Sequence, residues 1–154
     1  SHLEKVKNNK ELLGPNVIDN VERGLKYSME DVTWAHQEQT KIYNNFRKFF
    51  ENYDVLICPA ASVSPFPHEQ LFVEEINNEK LPTYMRWLAL SYAPTMAIPC
   101  AWALPCGLDH KNLPFGIQLI APAGNDAKLS EIALAIEDAL SNYEETKRAI
   151  PDIV

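Results

Sequence analysis

The chain has 154 residues, 46% of them hydrophobic and 23% charged, which is enough apolar material for one core and excludes the polar, aromatic-poor composition that stays unfolded. Fourteen basic against 21 acidic side chains give a formal charge of −7, with no basic cluster, which speaks against nucleic acid and anionic membrane as partners. No apolar stretch approaches the roughly 20 residues that span a bilayer and the first residues do not read as a signal peptide, so a soluble, cytoplasmic, single-domain protein covering residues 1–154 is expected.

Taken in chain order, the first predicted element is a short helix from Pro15, which suits a first-turn position, to Gly24, which suits a helix end. A second start lies at Ser28-Met29-Glu30-Asp31, where Ser28 can cap and Asp31 places a carboxylate beside the unsatisfied amides. Val32, Ala35, Gln39, Ile42, Phe46 and Phe49 then step by three and four, predicting one amphipathic helix of about twenty residues.

Val55-Leu56-Ile57-Cys58 is a short apolar run stopped by Pro59, expected to be a central strand covered on both faces. The stretch from Pro59 to Pro67 is rich in proline and serine and predicts an extended loop; Glu69 to Lys80 is polar and predicts a surface excursion. Leu81 to Ala93 carries Tyr84, Trp87, Leu88 and Ser91 at helical spacing, with Pro82 near its start and Pro94 just beyond it. Met96-Ala97-Ile98 and Phe115 to Ile120 are predicted strands, separated by a turn-rich stretch with Pro105, Gly107, Asp109 and Pro114. Asp126 is expected to cap a last helix with Leu129, Ile132, Ala133, Ile136 and Leu140 on one face. Helices alternating with buried strands predict an α/β sandwich.

The order of these pieces resembles the C-terminal region of the amidase signature family. The resembling stretches are Leu13-Gly14, Gly24-Leu25, Ser28 to Asp31, Tyr53 to Ala60, Ala93 to Cys100, Leu113 to Ile120, and the helix from Asp126 with Leu129, Ala133 and Glu137. Two departures stand out: Ala89-Leu90-Ser91-Tyr92 replaces an Asn-Leu-Ala-Gly turn, and Ala121 replaces a glycine. The resemblance implies a partial α/β/α sandwich with a mixed sheet, and amide C–N hydrolysis by a serine activated through a second serine and a lysine. It also implies a glycine-rich stretch donating amides to the oxyanion. That machinery lies upstream in the family, and this chain has no Gly-Gly-Ser-Ser run. No catalytic residue, metal ligand or cofactor is therefore assigned to it. What is implied is a contribution of sheet and pocket loops, with the rest of the parent enzyme and a small amide substrate as partners, and association into homo-oligomers through uncovered apolar surface.

Four residues are assigned to the substrate pocket: Ala61, Ser62, Trp87 and Ser91. The loop carrying the first two leaves the C-terminal end of a strand, where α/β sheets bind ligands, and the helix of the others precedes the next strand. Ser62 or Ser64 with His68 and Glu69 is a weak triad candidate, since no Gly-x-Ser-x-Gly elbow accompanies it. His36, His68 and His110 lack paired-ligand spacing, and Cys58, Cys100 and Cys106 read as buried free thiols. Gln118, in an apolar run, must find hydrogen-bond partners if buried. The rival to an amidase fragment is a non-catalytic interaction module of the same fold, which Lys or Pro guarding the sheet edge would favour.

Overall fold

A computed structural model describes residues 2–97 and 99–150. The chain divides between Lys41 and Ile42 into two compact units. The first holds α1 (His2–Asn8), a 3-10 turn (Lys10–Leu12), α2 (Pro15–Gly24) and the start of α3 (Met29–Phe49). Pro15 occupies the first turn of α2, where its missing N–H costs nothing. Ser28 and Asp31 form a reciprocal cap on α3: the Asp31 amide donates to Ser28 Oγ at 3.1 Å, and the Ser28 amide donates to Asp31 Oδ2 at 2.8 Å. The Ser28 amide first, and then the Ser28 hydroxyl, which donates to Asp31 Oδ2 at 2.8 Å, hold the Asp31 carboxyl below its ordinary value. The apolar stripe of α3 exists as the spacing predicts, yet Trp34 remains 63% exposed and no residue of the helix is fully buried.

The second unit is built on a three-stranded sheet in the order β1 (Leu56–Pro59), β5 (Pro114–Ala121), β4 (Cys100–Leu108), with antiparallel pairings. The α/β class expected from the sequence holds, but the strands fall differently. The run at Val55 to Cys58 forms an outer strand within this chain rather than a central one, and Ile57 is 50% exposed; β5 is central. Met96 and Ala97 are not a strand but a turn closing the preceding helix; Ile98 lies outside the described residues.

The strand comes later, in the stretch that its Pro105 and Gly107 mark as a turn. It survives both residues because it is an outer strand. Proline is tolerated where no ladder partner needs its N–H, and the register shifts between Pro105 and Leu108, where Gly107 adopts φ +69°.

Other elements also differ from expectation at their ends. Leu81 to Met85 is not helical; a 3-10 turn (Arg86–Leu88) leads into α4 (Ala89–Thr95), which includes Pro94 instead of stopping before it. The polar excursion contains a two-stranded hairpin, β2 (Glu75–Ile76) and β3 (Glu79–Lys80), turned by Asn77 and Asn78 at φ 53° and 65°. Asparagine tolerates that left-handed pair better than other side-chain-bearing residues, as a tight hairpin turn requires.

The helix α5 (Asp126–Ser141) begins at Asp126 itself, so that Asn125, not Asp126, takes the cap position. It lies on β4 and β5 and buries Leu129 and Ala133 against Leu104, Leu119 and Ala121, with Val55, Cys100, Ile117 and Ile136 around them. That cluster is the core of the unit. An exposed ion pair from Lys128 to Asp54 joins the helix to the approach to β1; at the surface it contributes at most about 1 kcal/mol.

Candidate functional site

The loop after β1 is anchored where it begins. The Ala60 amide donates to the Gly116 carbonyl at 2.9 Å, one step past the last β1 pairing of Pro59 with Ile117. From there Ala61 to Phe66 folds back toward the 3-10 turn that carries Trp87, and the Phe66 and Trp87 rings meet edge to face, 5.5 Å apart at 77°. Between them is a cleft of about 260 Å³, floored by Pro114, Phe115 and Gly116 at the start of β5. Its walls are mainly apolar. Its size and lining suit a small apolar group held by burial.

Two of the four sequence-predicted pocket residues, Ala61 and Trp87, line this cleft; Ser62 and Ser91 are outside its lining. Ser62 is half-buried in the loop and Ser91 is exposed on α4. The structure adds Ser64 and Phe66, and Phe66 has no sequence signal beyond being an aromatic among prolines. His68 is 92% exposed, where it pairs with Glu69 at 3.2 Å, and no hydrogen bond joins it to Ser62 or Ser64 among the described residues. The three cysteines are free and half-buried; Cys100 Sγ donates to the Pro122 carbonyl at 3.2 Å. Among the described residues no cluster of His, Cys, Asp and Glu could hold a metal ion, and no helix is long and apolar enough to cross a membrane.

Two polar side chains frame the cleft. Asp109 closes the turn from β4 to β5: its Oδ1 accepts the amides of Lys111 at 2.8 Å and Leu113 at 3.0 Å. That fixes how the chain enters Pro114 and hence the cleft floor. The Ser64 hydroxyl is the strongest influence holding the Asp109 carboxyl below its ordinary value, followed by the Leu113 amide. Asp109 Oδ2 is nonetheless enclosed without a well-formed hydrogen bond, so the Ser64 contact is off the ideal geometry. Gln118, in the middle of β5, donates from Nε2 to the Pro59 carbonyl at 3.1 Å and to the Leu90 carbonyl at 2.8 Å. Those are the structural partners that its place in an apolar run calls for.

A larger cleft of about 330 Å³ opens at the opposite end of the strands, between Tyr43, Phe46 and Phe50 and the segments at Pro99 and Pro122. None of the predicted pocket residues lines it.

A three-stranded α/β unit with a small apolar cleft at the end of β1 defines the class, and comparison with known proteins defines the family. The family model described as Amidase matches residues 5–129, and the chain belongs to the amidase signature family. A curated relative, a glutamyl-tRNA(Gln) amidotransferase subunit from Streptomyces avermitilis, is 34% identical over 106 residues, covering 68% of this chain and 20% of its own length. Among solved structures, a bacterial aryl acylamidase of the amidase signature family superposes with a TM-score of 0.79 at 17% identity, covering 96% of this chain and 31% of that one. A protein from a vestigial complex tied to the origins of an s-triazine catabolic enzyme gives 0.80 at 19% identity, covering 97% and 32%. At such identities these structures establish the fold alone. The chain spans about a fifth of the length of the curated relatives it matches.

Proposed function

We propose that this chain is the C-terminal portion of a cytoplasmic amide hydrolase, supplying sheet scaffold and substrate-pocket loops, and that it is inactive alone. The observation that carries this reading is the cleft between Ala61 and Trp87, formed at the end of a strand by a protein of an amide-hydrolysing family. Acyl transfer needs a hydroxyl activated by a base and preplaced oxyanion donors. The sequence offers no serine in a glycine-rich run beside a lysine, and the cleft brings together only apolar groups and Ser64. The partner in this reading is the remainder of the parent enzyme, and the substrate a small amide with an apolar acyl or aryl part.

The sheet edges weigh both ways between this and a free-standing interaction module: their prolines fit the module, their lack of charge fits the fragment. Each outer strand, Leu56–Pro59 and Cys100–Leu108, holds one proline, Pro59 at its end and Pro105 at the register shift, but neither carries a lysine or any other charge of the kind that guards an exposed edge. Uncovered apolar side chains such as Ile57 and Trp102 also support association, with the rest of the enzyme or between copies.

The purified chain is expected to release no product from a generic aryl amide. Turnover abolished by substituting Ser62 or Ser64 overturns the proposal.

A further inference from the structure

The two walls of the cleft come from separate stretches of chain, the loop after β1 and the turn before α4, and one side chain reaches the backbone of both. Gln118 Nε2 donates to the carbonyl of Pro59, the residue from which the loop departs, and to the carbonyl of Leu90, three residues past Trp87. One amide nitrogen carries two hydrogens, so both bonds form together, and two carbonyl partners fix which end of the amide faces them.

The Leu90 carbonyl is open to this bond for a reason written in α4. Its helical partner would be the N–H four residues on, and that residue is Pro94, which has none. The Gln118 side chain supplies the donor that the proline withholds. Its own backbone is meanwhile engaged in ladder pairings with Cys58 and Ala103, which do not depend on the side chain.

We propose that Gln118 is a positioning residue that sets the separation of Ala61 from Trp87 and thereby the size of the acyl or aryl group the cleft accepts. This rests on the reading of the cleft as the substrate pocket. Gln118 is not itself part of the cleft lining; it acts by holding Pro59 and Leu90 at a fixed distance from β5.

The test uses the isotopically labelled chain, with benzamide as the probe. Gln118→Met keeps the length of the side chain and removes both donors. It is expected to move the Trp87 indole N–H and Ala61 amide resonances, to leave the slow exchange of the β4 and β5 amides intact, and to weaken benzamide binding about tenfold, the equivalent of one ordinary hydrogen bond. Pro94→Ala gives residue 94 an N–H for the Leu90 carbonyl. In that background Gln118→Met should disturb the Trp87 side less, while its effect at Ala61, which runs through Pro59, is undiminished. Should Gln118→Met fail to fold, Gln118→Asn, which keeps the donors but is too short to reach both carbonyls, carries the same expectation. Unchanged Trp87 and Ala61 resonances in the folded variant overturn the proposal, as does an equal effect with and without Pro94. If those resonances move as expected but benzamide binds no form of the chain, it is the substrate-pocket reading that fails, and with it the claim on acyl size, while the positioning of the two walls stands.

Discussion

A Cβ placed on Gly107 would fall 2.0 Å from the carbonyl oxygen of Glu145, so the segment after α5 crosses β4 along a path that only glycine leaves open. The same residue has φ +69°, in the left-handed region. Both facts bear on one substitution. Gly107→Ala is expected to destabilise the second unit by about 2–3 kcal/mol, from backbone strain and displacement of a backbone neighbour that cannot rotate away. Urea unfolding followed at Trp102, on the same strand, measures it; a shift of the midpoint too small to resolve removes the close approach as a constraint.

The core makes a second expectation. Leu129 is 2% exposed and sits in the cluster with Leu104 and Leu119, so Leu129→Ala should cost about 2–5 kcal/mol through lost burial and the cavity left behind. Leu134, on the same helix, is 65% exposed, and its alanine variant should stay within about 0.5 kcal/mol of the parent. Comparable losses at the two positions would show that α5 packs through another face.

The cap on α3 predicts a pH dependence. The Asp31 carboxyl is held below its ordinary value of 3.8 chiefly by the Ser28 backbone amide and then by the Ser28 hydroxyl. A depressed carboxyl stabilises the folded form above its unfolded value, and that contribution is lost as pH falls through the lower folded value. Protection of the first amides of α3 should therefore fall as pH drops from about 4 downward. Asp31→Asn should flatten that part of the profile. A titration of the Asp31 carboxyl by NMR that gives 3.8 or more contradicts the cap.

At the cleft, Trp87→Ala in a complete parent enzyme should weaken binding of an aryl or apolar acyl amide by about 1–3 kcal/mol while the nucleophile stays reactive. Phe66→Ala removes the edge-to-face partner and should act in the same direction by about 0.5–1.5 kcal/mol. The informative quantity is KM across acyl groups of different size. Folded variants with unchanged kinetics on several amides would take both rings out of the pocket.

Asp109 touches the turn that leads to the cleft floor, through the Lys111 and Leu113 amides, and the loop wall, through Ser64. Asparagine keeps an oxygen for the Lys111 and Leu113 amides, so Asp109→Asn should preserve the turn and disturb mainly Ser64; Asp109→Ala should disturb both. Amide shifts of Ser64 and Leu113 in the two variants read the two effects independently. Identical patterns would mean that the carboxylate serves the turn alone.

Local chemistry in the sequence was enough for those elements whose cause is local. Pro15 and Gly24 bound α2 as expected, Ser28 and Asp31 start α3, and the apolar run of β5 and the stripe of α5 locate the core, because caps and periodicity act within a few residues. The family was legible too, since several such segments in a fixed order constrain one another. The need of Gln118 for partners followed from an amide in an apolar run, though not which carbonyls it finds. Three-dimensional packing decided the rest. Cys100 to Leu108 became a strand against its own turn residues because an outer position spares Pro105 a ladder bond and Gly107 absorbs the register shift. Pro94 entered a helix because a side chain 24 residues further on serves the carbonyl it abandons. Of the four residues expected at a pocket, Ala61 and Trp87 line one cleft while Ser62 and Ser91 do not, because which residues of a loop or a short helix face a cleft is set by distant segments that pack against them.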